Sequence, residues 1–218
     1  MRARERKHGP MTKSLDMATV AAQQGRTVPA AIVIGASAGA ISALTVLLPS
    51  LPADFALPVL IVLHLPPDKR SEVAGLFAAQ CRLKVKDAED KEPIRAGVVY
   101  FAPPDHHLLV EPDLCTSLSR DEAVLYSRPS IDVLFASAAD AYGDGLLGIV
   151  LTGANSDGAE GLREVIAAGG TGVVQDPSTA EASAMPQAAL DACPTAVPLS
   201  LDAILEHMLA SGLKKPSQ

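Results

Sequence analysis

The sequence predicts an α/β fold: a doubly wound, mostly parallel sheet with helices on both faces and a small β-hairpin insertion. Apolar runs of strand length, at Ala31–Ile34, Leu57–Leu63 and Leu146–Leu151, alternate with stretches whose apolar residues recur at helical spacing. Those runs are continuous and rich in β-branched residues, as strands buried on both faces must be. Between about Leu83 and Leu118 the style changes to short alternating segments separated by Pro and Gly, which reads as a hairpin insertion.

A chain of 218 residues, 48% apolar and 20% charged, fills one sizeable core and is too short for two ordinary domains with linkers. With no Trp and 3% aromatics the core must be aliphatic. A net charge of −7 offers no basic face for nucleic acid and disfavours anionic membranes. Cys81, Cys115 and Cys193 are odd in number and widely spaced, so neither a disulfide framework nor a zinc site is expected. No run approaches a membrane span and the first 29 residues hold no apolar signal-peptide core, so a cytoplasmic protein without membrane insertion is expected.

In order along the chain, residues 1–28 form a basic head without periodicity, read as a flexible tail ahead of one domain over residues 29–214. The run Ala31-Ile32-Val33-Ile34 is a strand, and Ile41, Leu44, Leu47 and Leu48 mark a helix, so Ser37 falls where strand becomes helix. Gly35, Ala36, Ala38 and Gly39 leave room around it. Gly35-x-Ser37-x-Gly39 thus has the spelling of a nucleophile elbow, although small residues after a first strand also suit a dinucleotide-binding turn. The second run ends at His64, and Asp68 is placed to cap a helix through Val73, Leu76 and Phe77 to about Cys81. After the insertion, Ile131, Leu134, Phe135 and Ala138 line a helix face, Leu146–Leu151 is a strand, and Leu162–Ala168 closes another helix. Val173-Val174 and Ala196-Val197 are later strands. Leu201, Ile204, Leu205 and Met208 are spaced for a final amphipathic helix.

Sheets of this kind bind ligands outside the carboxyl ends of their strands. Ser37, His64 and the loop Thr152-Gly153-Ala154-Asn155-Ser156-Asp157-Gly158 each follow a strand directly. A serine hydroxyl becomes a useful nucleophile when an imidazole takes its proton and a carboxylate fixes that imidazole's tautomer. Ser37, His64 and Asp157 are the candidates, and Asp157 could equally cap the helix that follows it. His106 and His107 are no metal pair, because neighbours on a strand face opposite ways and no further ligand sits at suitable spacing.

These residues resemble the catalytic domain of CheB-type chemotaxis protein-glutamate methylesterases from Ala30 to Met208. The likeness rests on Gly35-Ala36-Ser37, His64-Leu65-Pro66-Pro67, Ala102-Pro103-Pro104-Asp105, Arg128-Pro129-Ser130-Ile131-Asp132, Leu151-Thr152-Gly153 through Asp157-Gly158, Gln175-Asp176-Pro177 and Met185-Pro186. The resemblance implies Ser37 as nucleophile, His64 as base and Asp157 as orienting acid, with backbone N–H groups at Ala38 and Ala154 for the oxyanion. It also implies that Asp176 and Met185 shape the rim of the substrate cleft, with turn-forming and packing roles as the alternative; Arg128 and Asp132 are read from their positions as pinning a helix start, with Arg128 alternatively lining the substrate cleft. The expected reaction is removal of methyl esters from glutamate side chains of chemoreceptor cytoplasmic domains, with glutamine deamidation at the same place and no cofactor or metal. Full-length members carry a receiver domain that the 28-residue head cannot hold, so control is expected from expression, from a separate receiver or signalling protein, or from the basic head binding a partner. Ala154 stands where the family often has methionine. The rival reading is a catalytically silent module whose Ser37 turn holds a phosphate-bearing ligand or docks a signalling partner.

Overall fold

The computed structural model describes residues 29–64 and 72–212. The expectations for the head, for Asp68 as a cap and for the Leu65-Pro66-Pro67 segment lie outside the described residues.

Strand β1 (Ala31–Ala36) leads into helix α1 (Ala40–Leu47), and β2 (Val59–Leu63) is followed by α2 (Val73–Ala78). Next come β3 (Lys84–Asp87), β4 (Val98–Phe101), β5 (His107–Val110) and β6 (Thr116–Ser119). The second half runs α3 (Ile131–Tyr142), β7 (Leu146–Val150), α4 (Ala159–Ala167), β8 (Thr171–Gln175), α5 (Ala184–Ala192), β9 (Val197–Leu199) and α6 (Leu201–Gly212).

Seven strands form one sheet in the order β3-β4-β2-β1-β7-β8-β9, with every neighbouring pair parallel. Alternation along β1 divides the core in two. Ile32 and Ile34 face α1, α2 and α6 through Leu44, Leu47, Phe77, Ile204 and Met208. Ala31 and Val33 face α3, α4 and α5 through Ile131, Leu134, Phe135, Leu162, Val165 and Met185. Helices on both faces, expected from the βα alternation, are therefore present.

The insertion is smaller than the sequence reading had it. Only β5 and β6 form an antiparallel hairpin, while β3 and β4 pair in parallel with each other and extend the main sheet. The reason lies in β4: Val98, Val99, Tyr100 and Phe101 are all buried, so this run belongs to the continuous class of the central strands rather than to a half-exposed hairpin. Helix α5 is also an addition, because its first turn carries Pro186, a residue tolerated there and hidden from a search for apolar periodicity.

Chain order reverses between β1 and β7: the chain leaves β1 toward β2, β4 and β3, then returns to build β7, β8 and β9 on the other side. The carboxyl ends of these two central strands form the topological switch point, where such sheets hold ligands. Among the described residues no helix is long and apolar enough to cross a membrane.

Candidate active site

Parallel register brings the strand ends together. Ala36 of β1 pairs with Leu63 of β2, and Gly35 pairs with Val150 of β7. The next residues along these strands are Ser37, His64 and Leu151, with Thr152 one further on. The backbone keeps them in line past the strands: His64 N–H donates to the Ala36 carbonyl at 3.2 Å, and Ser37 N–H donates to the Thr152 carbonyl at 2.9 Å. Gly39, at φ +79°, turns the chain from β1 into α1, a left-handed conformation that a side chain would resist.

Asp157, fully buried, is reached from two directions. Its Oδ2 accepts from His64 Nε2 at 2.8 Å and from the Ile131 N–H at 2.8 Å. Its Oδ1 accepts from Ser130 Oγ at 2.9 Å and from the Asp132 N–H at 3.0 Å. Burial alone would push this carboxyl up, but the hydrogen bond from His64 and the backbone N–H groups of Asp132 and Ile131 outweigh it and hold the group below the usual carboxylate range. The carboxylate is therefore an ionised acceptor at neutral pH, and the nitrogen facing it, Nε2, carries the proton of a neutral imidazole.

Asp157 thus caps a helix, though not the one that follows it in sequence. It satisfies the first N–H groups of α3, while Asp132 of α3 accepts at Oδ1 from Gly158 N–H at 2.9 Å and Gly161 N–H at 2.7 Å at the start of α4. Each helix start holds a carboxylate supplied by the other, and the partial positive charge there favours both anions. The expectation that Arg128 and Asp132 pin one helix start is corrected accordingly: Asp132 pins α4, and Arg128 takes no part. Arg128 donates from Nε and Nη2 to Asp105 Oδ1 at 3.0 and 2.5 Å, and from Nη1 to the carbonyls of Arg120 and Asp121 at 3.1 and 2.9 Å. These bonds hold Asp105 below its usual range and tie the insertion together, using four of the five guanidinium N–H groups and leaving one on Nη2.

Met185 also departs from expectation. It has no exposed surface and packs its sulfur under Gly153, whose carbonyl accepts its N–H at 2.9 Å, so it supports the loop after β7 from inside the core instead of lining a cleft. Asp176 accepts from the Ser178 N–H at 2.8 Å and Ser178 Oγ at 2.7 Å, a turn-forming role at the start of a short 3₁₀ turn. The N–H groups of Ala38 and Ala154 lie on exposed residues and, among the described residues, donate to no acceptor.

Several positioning residues escaped the sequence reading. Thr152 N–H donates to buried Gln175 Oε1 at 2.9 Å, and Thr152 Oγ1 donates to the Ala38 carbonyl at 2.8 Å, fixing the Ser37 turn to the β7 loop. His107, 2% exposed, accepts the Ser130 N–H at Nδ1 (3.2 Å) and donates from Nε2 to the Glu122 carbonyl (3.1 Å), anchoring the segment that supports Asp157. Asn155 lies with Nδ2 3.3 Å from His64 Nδ1. The pattern Asn155-x-Asp157, typical of a side chain bonding the backbone two residues on, was the available signal.

Residues 32–208 match the family described as CheB methylesterase. The chain belongs to this family. A Leptospira interrogans protein named for ascribed protein-glutamate methylesterase/protein-glutamine glutaminase activity is 49% identical over 176 residues, covering 81% of this chain and 91% of that one. Protein-glutamate methylesterase/protein-glutamine glutaminase 2 of Anaeromyxobacter dehalogenans is 41% identical over 73% of this chain, which spans only 47% of that relative's length. The crystal structure of the Thermotoga maritima CheB methylesterase catalytic domain superposes with a TM-score of 0.77 at 29% identity, covering 84% of this chain and 99% of that domain. The CheB catalytic domain is thus the part of the longer relatives that this chain resembles.

Proposed function

We propose that this chain is a protein-glutamate methylesterase, a serine hydrolase that removes methyl esters from glutamate side chains on the cytoplasmic helices of chemoreceptors and deamidates glutamines at the same positions. The observation that carries the reading is the pairing of His64 Nε2 with buried Asp157 Oδ2 at 2.8 Å, one strand away from the serine turn at the switch point. Ser37 Oγ attacks the γ-carbonyl while His64 Nδ1 takes its proton. Asp157 stabilises the imidazolium that results. The N–H groups of Ala38 and Ala154 receive the oxyanion, and methanol leaves with the proton returned by His64. Water then attacks the acyl-enzyme with His64 again as base, releasing glutamate and free Ser37. General-base help of this kind contributes roughly 10² to 10⁴ in rate, and each oxyanion donor roughly 10² to 10³.

The test combines a fluorophosphonate, which labels only an activated serine, with methanol release from methylated receptor cytoplasmic domain. The full chain should label at Ser37 and release methanol, and Ser37→Ala and His64→Ala should each abolish both while keeping a native circular dichroism spectrum. A wild-type chain that neither labels nor turns over would point instead to a silent binding module.

A further inference from the structure

His64 has two ring nitrogens, and both are engaged. Nε2 faces Asp157, which leaves Nδ1 as the nitrogen with the lone pair and the only one able to take a proton from Ser37. At 3.3 Å from that Nδ1 lies Asn155 Nδ2. The orientation of the Asn155 amide is not arbitrary, because its Oδ1 accepts the Asp157 N–H at 3.3 Å, turning the NH₂ toward the ring. A neutral imidazole offers one in-plane lone pair, which receives one donor well. Among the described residues the hydroxyl of Ser37 makes no hydrogen bond, as expected where the acceptor it needs is already taken.

We propose that Asn155 is a positioning residue that caps the base of the resting enzyme: its amide holds His64 with the lone pair on Nδ1 and must leave that nitrogen before Ser37 can be deprotonated. Both of its bonds are longer than the usual 2.9 Å for N–H donors, so the amide yields readily to a stronger donor. Room for the movement exists, since Asn155 is half-buried and its neighbours Ala154 and Ser156 are exposed. Substrate that fills the space beside His64 displaces the amide and brings Ser37 onto Nδ1, so the site becomes competent when occupied. This extends the serine-hydrolase reading above and rests on it.

Two variants separate the role from simple turn structure. Asn155→Ala removes both bonds, whereas Asn155→Ser keeps a short oxygen for the Asp157 N–H and cannot reach the ring. Fluorophosphonate labelling of Ser37 should quicken about three- to tenfold in both variants, the worth of one weak hydrogen bond. Nitrogen-15 spectra of the His64 ring, taken with Ser37→Ala added to each variant and its control so that no hydroxyl replaces the amide, should show Nδ1 moving toward the value of an unbonded acceptor while Nε2 stays in place. Labelling that is unchanged or slower in both variants overturns the proposal, as does a wild-type rate in Asn155→Ser beside an altered one in Asn155→Ala, which would assign the effect to the Asp157 backbone. An unmoved Nδ1 signal overturns it independently of any labelling. Absence of labelling in the wild-type chain would instead fall on the serine-hydrolase reading.

Discussion

Asp132 and Asp157 are two carboxylates in one network with opposite fates. Asp157 collects donors and stays ionised. Asp132 is pushed up to about 6, first by burial and then by the negative charge of Asp157, against the pull of the Gly161 and Gly158 N–H groups. A carboxyl raised in the folded state binds more protons there than in the unfolded chain, so folding loses stability as pH rises from about 4, the unfolded value, to about 6. Asp157 has the opposite sign: its contribution is present above about pH 4 and is lost as pH falls through its lower folded value. Asp132→Asn should therefore flatten the stability profile between pH 4 and 6 and leave the protein at least as stable at pH 7, because both N–H donors reach Oδ1 and an amide oxygen can accept them. Urea midpoints across that range check this, and an unchanged slope would assign the titration elsewhere. None of it was legible in the sequence, which carries Asp132 and Asp157 as separate motifs 25 residues apart. What could be read was each residue's position after a strand or before a helix, and that was enough to nominate Ser37, His64 and Asp157. Met185 was misassigned because a motif records that a residue matters without recording which way it points.

At the scale of elements, α3 and α4 cross so closely that a Cβ on Gly161 would stand 2.7 Å from Phe135 Cβ and 2.9 Å from Asp132 Cα. Alanine is the better helix former by about 1 kcal/mol, yet Gly161→Ala should destabilise the protein, with overpacking costs of about 1 to 3 kcal/mol prevailing over propensity. It should also lower esterase activity by more than the lost stability explains, since prising the helices apart stretches the bonds from Asp132 to α4 and from Asp157 to α3. Calorimetry and kinetics on the same sample test both parts, and a stabilised, fully active variant would refute the close packing. Helices α3, α4 and α6 were readable because their apolar residues repeat at a helical interval over nine or more residues. Strands β3 and β4 were harder, since four residues fit a hairpin arm and a sheet strand equally well, and only their parallel pairing distinguishes the two.

Across the whole molecule, the strand ends that carry Ser37, His64 and the Thr152 loop belong to the best-protected part of the sheet. β1, β2 and β7 are buried along their full length and flanked by other strands on both sides, whereas β9 closes one edge with Val197, Pro198 and Leu199 partly open to solvent. Amide hydrogen exchange should be slowest in β1, β2 and β7, faster in β9 and fastest among strands in the β5–β6 hairpin, which stands outside the main sheet. Equal protection in β9 and β1 would contradict this ordering. The fold class was legible because it depends on the alternation of buried runs with amphipathic ones, a property of long stretches that single misread strands do not disturb. Finally, the exchange of carboxylates between α3 and α4 bears on how such a sequence can change over generations. Among the described residues Ser37 is hydrogen-bonded to the fold only through its backbone, so a descendant released from hydrolysis can drift there. Asp157 holds a helix start as well as the imidazole, so selection for folding alone preserves it, and an inactive descendant keeps its aspartate long after its serine has gone.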